Sequence, residues 1–214
     1  MRSVVILCRH GNTFEKGDKV VMVGAREDLP LTSHGLEQAR AVGVAFVSSK
    51  VTPARILSGP LQRTKVFAEQ VRSEIGASAP VEIDERLIEF DYGAWSGLSN
   101  EEIAALSGQS ALDAWQERSE RPNGITFVPS TEQARTEAAA LMNELAKDEG
   151  VCLVVTSNGR LREFGQLLNA ASSVPSYKVK TGHACLLLRE GPKWRILGWD
   201  VDPERLKNLL SGTL

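Results

Sequence analysis

Residues 4–13 read "VVILCRHGNT". Val4 to Cys8 are apolar without polar alternation, the mark of a short strand covered on both faces rather than one with a wet side. Arg9, His10 and Gly11 follow at once, so two basic side chains stand where a buried strand ends. Residues 152–160, "CLVVTSNGR", repeat the pattern with Asn158 in the place of His10.

Strands of this kind belong to sheets with helices on both faces, and the rest of the chain supplies those helices. Thr32 or Ser33 caps a helix whose inner face is Leu36, Ala39, Gly43 and Phe46 or Val47. Residues 55–57 form a short strand. Pro60 then opens a second helix, ended by Gly76, with Leu61, Thr64, Ala68, Val71 and Ile75 as its buried stripe. That spacing puts Arg63 in the first turn, aimed at the loops above the sheet. Ser130-Thr131-Glu132-Gln133 is a capping-box pattern for a helix that feeds a strand over 151–155. The Ser157-Asn158-Gly159 turn and a helix with Leu161, Phe164 and Leu168 come next. Strands over 184–189 and 194–199, joined as a hairpin, close the chain. Residues 82–130 carry Phe90, Tyr92, Trp95 and Trp115 with little periodicity, and a lid-like elaboration is expected around 90–130. The predicted fold is α/β, a three-layer αβα sandwich with a mostly parallel central sheet, and residues 1–214 are expected to form one domain.

Composition narrows the partners. With 25 Lys and Arg against 27 Asp and Glu, the net charge is -2, which disfavours a nucleic-acid-binding surface and leaves room for a local positive pocket. The run Val4 to Cys8 is too short for a membrane span or a signal-peptide core, so no membrane association is expected. Cys8, Cys152 and Cys185 each sit inside an apolar run; they read as core residues of a reducing compartment, hence a cytoplasmic protein. The oligomeric state stays open, a homodimer being the alternative to a monomer.

Ligands of open α/β sheets bind beyond the carboxyl ends of the strands. Arg9, His10, Arg63 and Asn158 all fall at that edge. Two guanidiniums beside one imidazole repel unless an anion lies among them, and the planar guanidinium fork suits phosphate. Gly11 would let the backbone approach the anion, with the N–H groups of residues 11–13 as donors. Plainer readings compete with each of these. Arg9-His10 alone could be a solvated strand end. Arg63 has no acid three or four residues away to pair with on its helix. Glu89 shares its neighbourhood with Asp84, Glu85 and Asp91, any of which defaults to a surface carboxylate, and Asn158-Gly159 is a common turn dipeptide. His34 is expected at the surface and His183 as a structural or rim residue, while Trp95 and Trp115 read as packing.

The segments "LCRHGNT", "LPLTSHGLEQAR", "ILSGPLQRTKVFAE", "LIEFDYGAWSGLS" and "LVVTSNGRL" together resemble the histidine phosphatase superfamily, also called phosphoglycerate mutase-like. They run in order over nearly the whole chain, most weakly between 100 and 130. The resemblance implies that His10 is a nucleophile that becomes a phosphohistidine and that Arg9 and Arg63 bind the phosphate with Asn12 beside them. It implies too that Glu89 protonates the leaving oxygen and then draws a proton from water. A neutral imidazole is a competent nucleophile near pH 7, with one ring nitrogen held by a backbone carbonyl so that the other faces phosphorus. No metal and no cofactor is implied, and the expected partner is a small-molecule phosphoester. "FDYGAWSGLS" resembles the phosphatase branch, so a phosphomonoester phosphatase acting on a small phosphorylated metabolite is expected. A phosphoglycerate mutase-type phosphotransferase and a catalytically weak phosphate-ester-binding pseudo-enzyme are the alternatives. The departure is Asn158, where the family pattern has a second histidine. Its amide can donate to a phosphate oxygen but brings no charge, a loss worth about tenfold to a hundredfold in rate. Arg160 and His183 are the candidates to restore that charge.

Overall fold

The computed structural model describes residues 2–168 and 176–213. The strands are β1 (Arg2–Arg9), β2 (Arg55–Ser58), β3 (Val81–Ile83), β4 (Gly150–Thr156), β5 (Ala184–Glu190) and β6 (Lys193–Val201). They form one sheet in the order β3-β2-β4-β1-β5-β6. Neighbours from β3 to β1 are parallel, and β5 and β6 add an antiparallel edge. β1 lies between β4 and β5, and its residues show why the opening run does not alternate. Val4, Ile6 and Cys8 pack on one face and Val5 and Leu7 on the other, all within 1% of complete burial.

The first face is covered by α1 (Ser33–Ser48), α2 (Gln62–Ile75) and α7 (Pro203–Thr213), the second by α5 (Thr131–Leu145) and α6 (Asn158–Leu167). Helices thus flank a six-stranded, mostly parallel sheet on both sides, the predicted three layers. Local signals act largely as expected. The Thr32 hydroxyl accepts from the N–H of Gly35, and Gly76 ends α2 in the left-handed conformation. On α1 the buried stripe runs through Ala39, Val42, Gly43 and Phe46, leaving Val47 exposed.

Four expectations are corrected. α2 begins at Gln62 rather than at Pro60, and because Leu61 before it offers no capping side chain, Asp28 from the loop between β1 and α1 accepts from the N–H of Gln62 at 2.7 Å. β3 pairs with β2 although only one of its residues is even half-buried, too little apolar signal to read. Residues 100–118 are helical, as α3 (Asn100–Ser107) and α4 (Gln109–Arg118), and the chain continues past the hairpin into α7. Trp95, Trp115, Phe90, Tyr92 and Phe127 gather above the sheet in a cluster of edge-to-face rings, which is what organises the irregular segment. Among the described residues no helix is long and apolar enough to cross a membrane.

Candidate active site

Arg9 pairs with Thr156 at the last rung of the β1–β4 ladder, so the chain leaves both strands at one edge of the sheet. A cavity of about 600 Å³ opens there, and Arg9, His10, Asn12, Arg63, Glu89 and Asn158 all line it.

His10 is 6% exposed, and its backbone N–H continues the ladder to the Thr156 carbonyl. Its Nδ1 lies 2.7 Å from the Gly11 carbonyl oxygen. A carbonyl only accepts, so Nδ1 carries the hydrogen and Nε2 keeps its lone pair. Burial pushes the imidazole pKa well below 6.5, and the charges of Arg9 and Arg63 push it the same way against the Gly11 bond. At neutral pH the ring is uncharged.

The two guanidiniums are held by two different loops. Arg9 Nη1 donates to the Val179 carbonyl at 2.6 Å; Arg63 Nη1 and Nη2 donate to the carbonyls of Glu27 and Gly24 at 2.7 and 3.0 Å. Arg63 is 1% exposed, so the loop before α1 closes over it. Burial lowers the pKa of both, and the Glu89 carboxylate opposes that shift most strongly.

Glu89, 4% exposed, accepts one backbone N–H on each oxygen, from Phe90 and from Gly159, both at 2.9 Å. The bond to Gly159 ties the carboxylate to the first turn of α6, the helix that begins with Asn158. Burial, and after it the charge of Glu89, push the pKa of the Tyr92 hydroxyl well above 10. Asn158 Oδ1 accepts from the Val179 N–H at 2.9 Å, and Asn12 Oδ1 accepts from the Thr181 hydroxyl. Each amide therefore turns its NH₂ group, a donor, away from those contacts. Val179 thus joins Arg9 through its carbonyl and Asn158 through its N–H.

Three expectations change here. Gly11 is needed for close packing against α1, since a Cβ there would collide with the Gly35 backbone. The Asn12 N–H, expected to face an anion, donates to Gln38 Oε1 at 2.8 Å. Neither candidate for the missing charge reaches the cavity. Arg160 is wholly buried and donates to Glu137 at 3.0 Å and to the Arg86 carbonyl, and His183 pairs with Asp200 at 3.0 Å. Two cations passed over in the sequence, Arg162 and Lys178, do line it. The spacing of Arg162, four residues after Asn158 on a helix, was a usable signal; for Lys178 there was none. Trp115, read as packing, is 3% exposed and also faces the cavity. Among the described residues no group of three or more His, Cys, Asp or Glu side chains is placed to hold a metal ion.

A cavity at the carboxyl ends of the strands, lined by an uncharged imidazole and two guanidiniums, places the chain among α/β proteins with a basic pocket at the sheet edge. The chain belongs to the histidine phosphatase superfamily (branch 1), whose family model it matches over residues 5–202. It is 31% identical over 117 residues to the 2,3-bisphosphoglycerate-dependent phosphoglycerate mutase of Methylobacterium sp. (strain 4-46), an alignment covering 54% of this chain and 55% of that protein. The chain thus spans about half the length of that relative. The mycobacterial glucosyl-3-phosphoglycerate phosphatase superposes with a TM-score of 0.75 at 21% identity, covering 94% of this chain and 99% of the other. The phosphoglycerate mutase of Bacillus anthracis str. Sterne gives 0.75 at 16% identity, with 97% and 96% covered. At such identities the two structures speak for the fold alone.

Proposed function

We propose that the protein is a phosphomonoester phosphatase that works through a phosphohistidine at His10. The observation that carries this reading is the Nδ1 bond to the Gly11 carbonyl, which leaves the Nε2 lone pair of an uncharged ring in a cavity walled by Arg9 and Arg63. Nε2 attacks phosphorus in line, the ester P–O bond breaks, and Glu89 donates its proton to the leaving oxygen. Water then attacks the phosphohistidine, Glu89 takes back a proton, and inorganic phosphate leaves with His10 neutral again. The remaining N–H groups of Arg9 and Arg63 and the amides of Asn12 and Asn158 neutralise and orient the phosphoryl oxygens. The amino end of α6 adds its partial positive charge. With charge neutralised by side chains, the reaction requires no metal, and turnover is expected to survive a chelator.

Turnover of an aryl phosphate tests this directly. His10→Ala should abolish it; undiminished activity in that variant rejects His10 as the nucleophile. The mutase reading is favoured by one observation, the 31% identity to the Methylobacterium mutase. Incubation with 3-phosphoglycerate separates the two: release of inorganic phosphate supports the phosphatase, and conversion to 2-phosphoglycerate without release supports the mutase.

A further inference from the structure

Asn158 removes a group that can be cationic from the turn where the family pattern has one. The same helix brings a cation back one turn later. Arg162 lies four residues along α6, so the two side chains share a helix face, and both line the cavity.

Arg162 is 2% exposed, and its hydrogen-bond partners are all neutral. Nη1 donates to the Trp115 carbonyl and the Ser119 hydroxyl, both at 2.8 Å, and Nη2 to the Gln116 carbonyl at 3.1 Å. These acceptors belong to the last turn of α4 and its cap, the end whose dipole favours a cation. The Trp115 ring lies 5.0 Å from the guanidinium carbon. Burial lowers its pKa to about 10, which leaves it charged at neutral pH. Arg160, by contrast, has the Glu137 carboxylate at 3.0 Å. The charge of Glu89 favours the Arg162 cation and that of Arg9 opposes it, but none of its hydrogen-bond partners is an anion, and a buried cation so placed is costly to keep unless an anion visits it.

We propose that Arg162 supplies the positive charge that a histidine at position 158 would bring to the phosphoryl group during transfer. The inference rests on the phosphatase reading above. The two properties of an imidazolium are divided between two residues: Asn158 keeps the hydrogen-bond donor and Arg162 the charge. Held by three acceptors, Arg162 cannot swing out to grip a ligand, so it acts as a fixed, preorganised charge. Lys178 is exposed at the rim, where solvent screens it, and contributes less. The competing role for Arg162 is purely structural, as a pin between α6 and α4.

Three variants separate the roles: Arg162→Met, Arg162→Gln, which keeps a donor for α4 without the charge, and Arg162→Lys. Aryl phosphate kinetics are followed between about pH 5.5 and pH 8. Removing the charge should lower kcat roughly tenfold to a hundredfold while KM changes little, and Arg162→Lys should retain most of the activity. Adding Asn158→His to Arg162→Gln should recover turnover at the acid end of the range and not at the alkaline end, because only an imidazolium replaces the charge. A kcat in Arg162→Gln within about twofold of wild type overturns the inference. So does a loss that Asn158→His leaves unrecovered at every pH, which is the behaviour of a pin. Wild-type turnover that His10→Ala abolishes shows that the phosphatase reading survives even if Arg162 fails; absence of wild-type turnover removes both.

Discussion

Gly159 separates the positioning of the acid from everything else in the site. Its backbone lies at the start of α6 and needs no glycine, so alanine meets only a question of space. A Cβ there would stand 2.6 Å from the Tyr92 hydroxyl and 2.7 Å from Phe90 Cδ2, and closer still to Glu89 Oε1. Phe90 cannot yield, because Arg121 and Arg160 lie 4.4 and 5.5 Å from its ring. The strain therefore falls on Glu89 and its 2.9 Å bond to the Gly159 N–H. Overpacking costs about 1–3 kcal/mol, and replacing Gly by Ala in a helix returns up to about 1 kcal/mol. Near-neutral to modest destabilisation follows, a fall in Tm of a few degrees at roughly 2–4 °C per kcal/mol. Catalysis suffers more, since displacing a reacting group by about 1 Å can cost on the order of 100-fold. For Gly159→Ala we expect a folded protein with kcat down by about 30- to 100-fold. A series of aryl and alkyl phosphates gives the sharper assay. The defect should grow as the leaving group worsens, because only poor leaving groups depend on the proton from Glu89. The same defect for every ester, or none, refutes the placement of Glu89 as the acid.

The lowered His10 pKa makes two further predictions. The acid limb of kcat/KM that reports His10 should lie well below pH 6.5. In stability, the unfolded chain binds the His10 proton more readily than the native one, so this contribution is intact above pH 6.5 and is lost as pH falls toward the native value. His10→Gln should flatten that part of the slope in thermal melts between about pH 7.5 and 5; an unchanged slope contradicts the burial argument. Arg63→Lys cannot reach both the Gly24 and Glu27 carbonyls, and phosphate inhibition should weaken roughly tenfold to a hundredfold, as read by competition kinetics. Burial raises the Cys152 thiol to about 12 and the thiols of Cys8 and Cys185 also move up. Iodoacetamide should leave all three unmodified in the folded protein and alkylate them after unfolding, as mass spectrometry would show.

The sheet was legible wherever burial was continuous. Val4–Cys8 and Val151–Val155 announced themselves because both faces of β1 and β4 are covered. α7 was missed since only Leu206 and Leu210 of its stripe are buried, although Asp202 caps it through the Arg205 N–H. α3 and α4 are short and pack on the aromatic cluster rather than on the sheet, so their few apolar residues make a weak pattern. Within the site, Arg9, His10 and Arg63 could be named because strand ends and helix starts fix where such side chains go, whereas Glu89 lies in an irregular segment and was named through the family resemblance alone. Val179, Lys178 and Thr181 could not, because their meeting with Arg9, Asn12 and Asn158 depends on the path of a loop. Arg160 was misassigned for a related reason: adjacency to Asn158 in sequence places its side chain on another helix face, toward Glu137.

The central claim is chemical, that the His10 ring takes the phosphoryl group. Rapid quenching of wild-type protein with a labelled phosphomonoester, under alkaline conditions that preserve phosphoramidates, followed by peptide mapping, tests it most directly. The label should be alkali-stable, acid-labile and confined to the peptide carrying His10, and should appear and decay at rates consistent with turnover. Turnover with no label on that peptide, or with the label on another residue, would contradict the account.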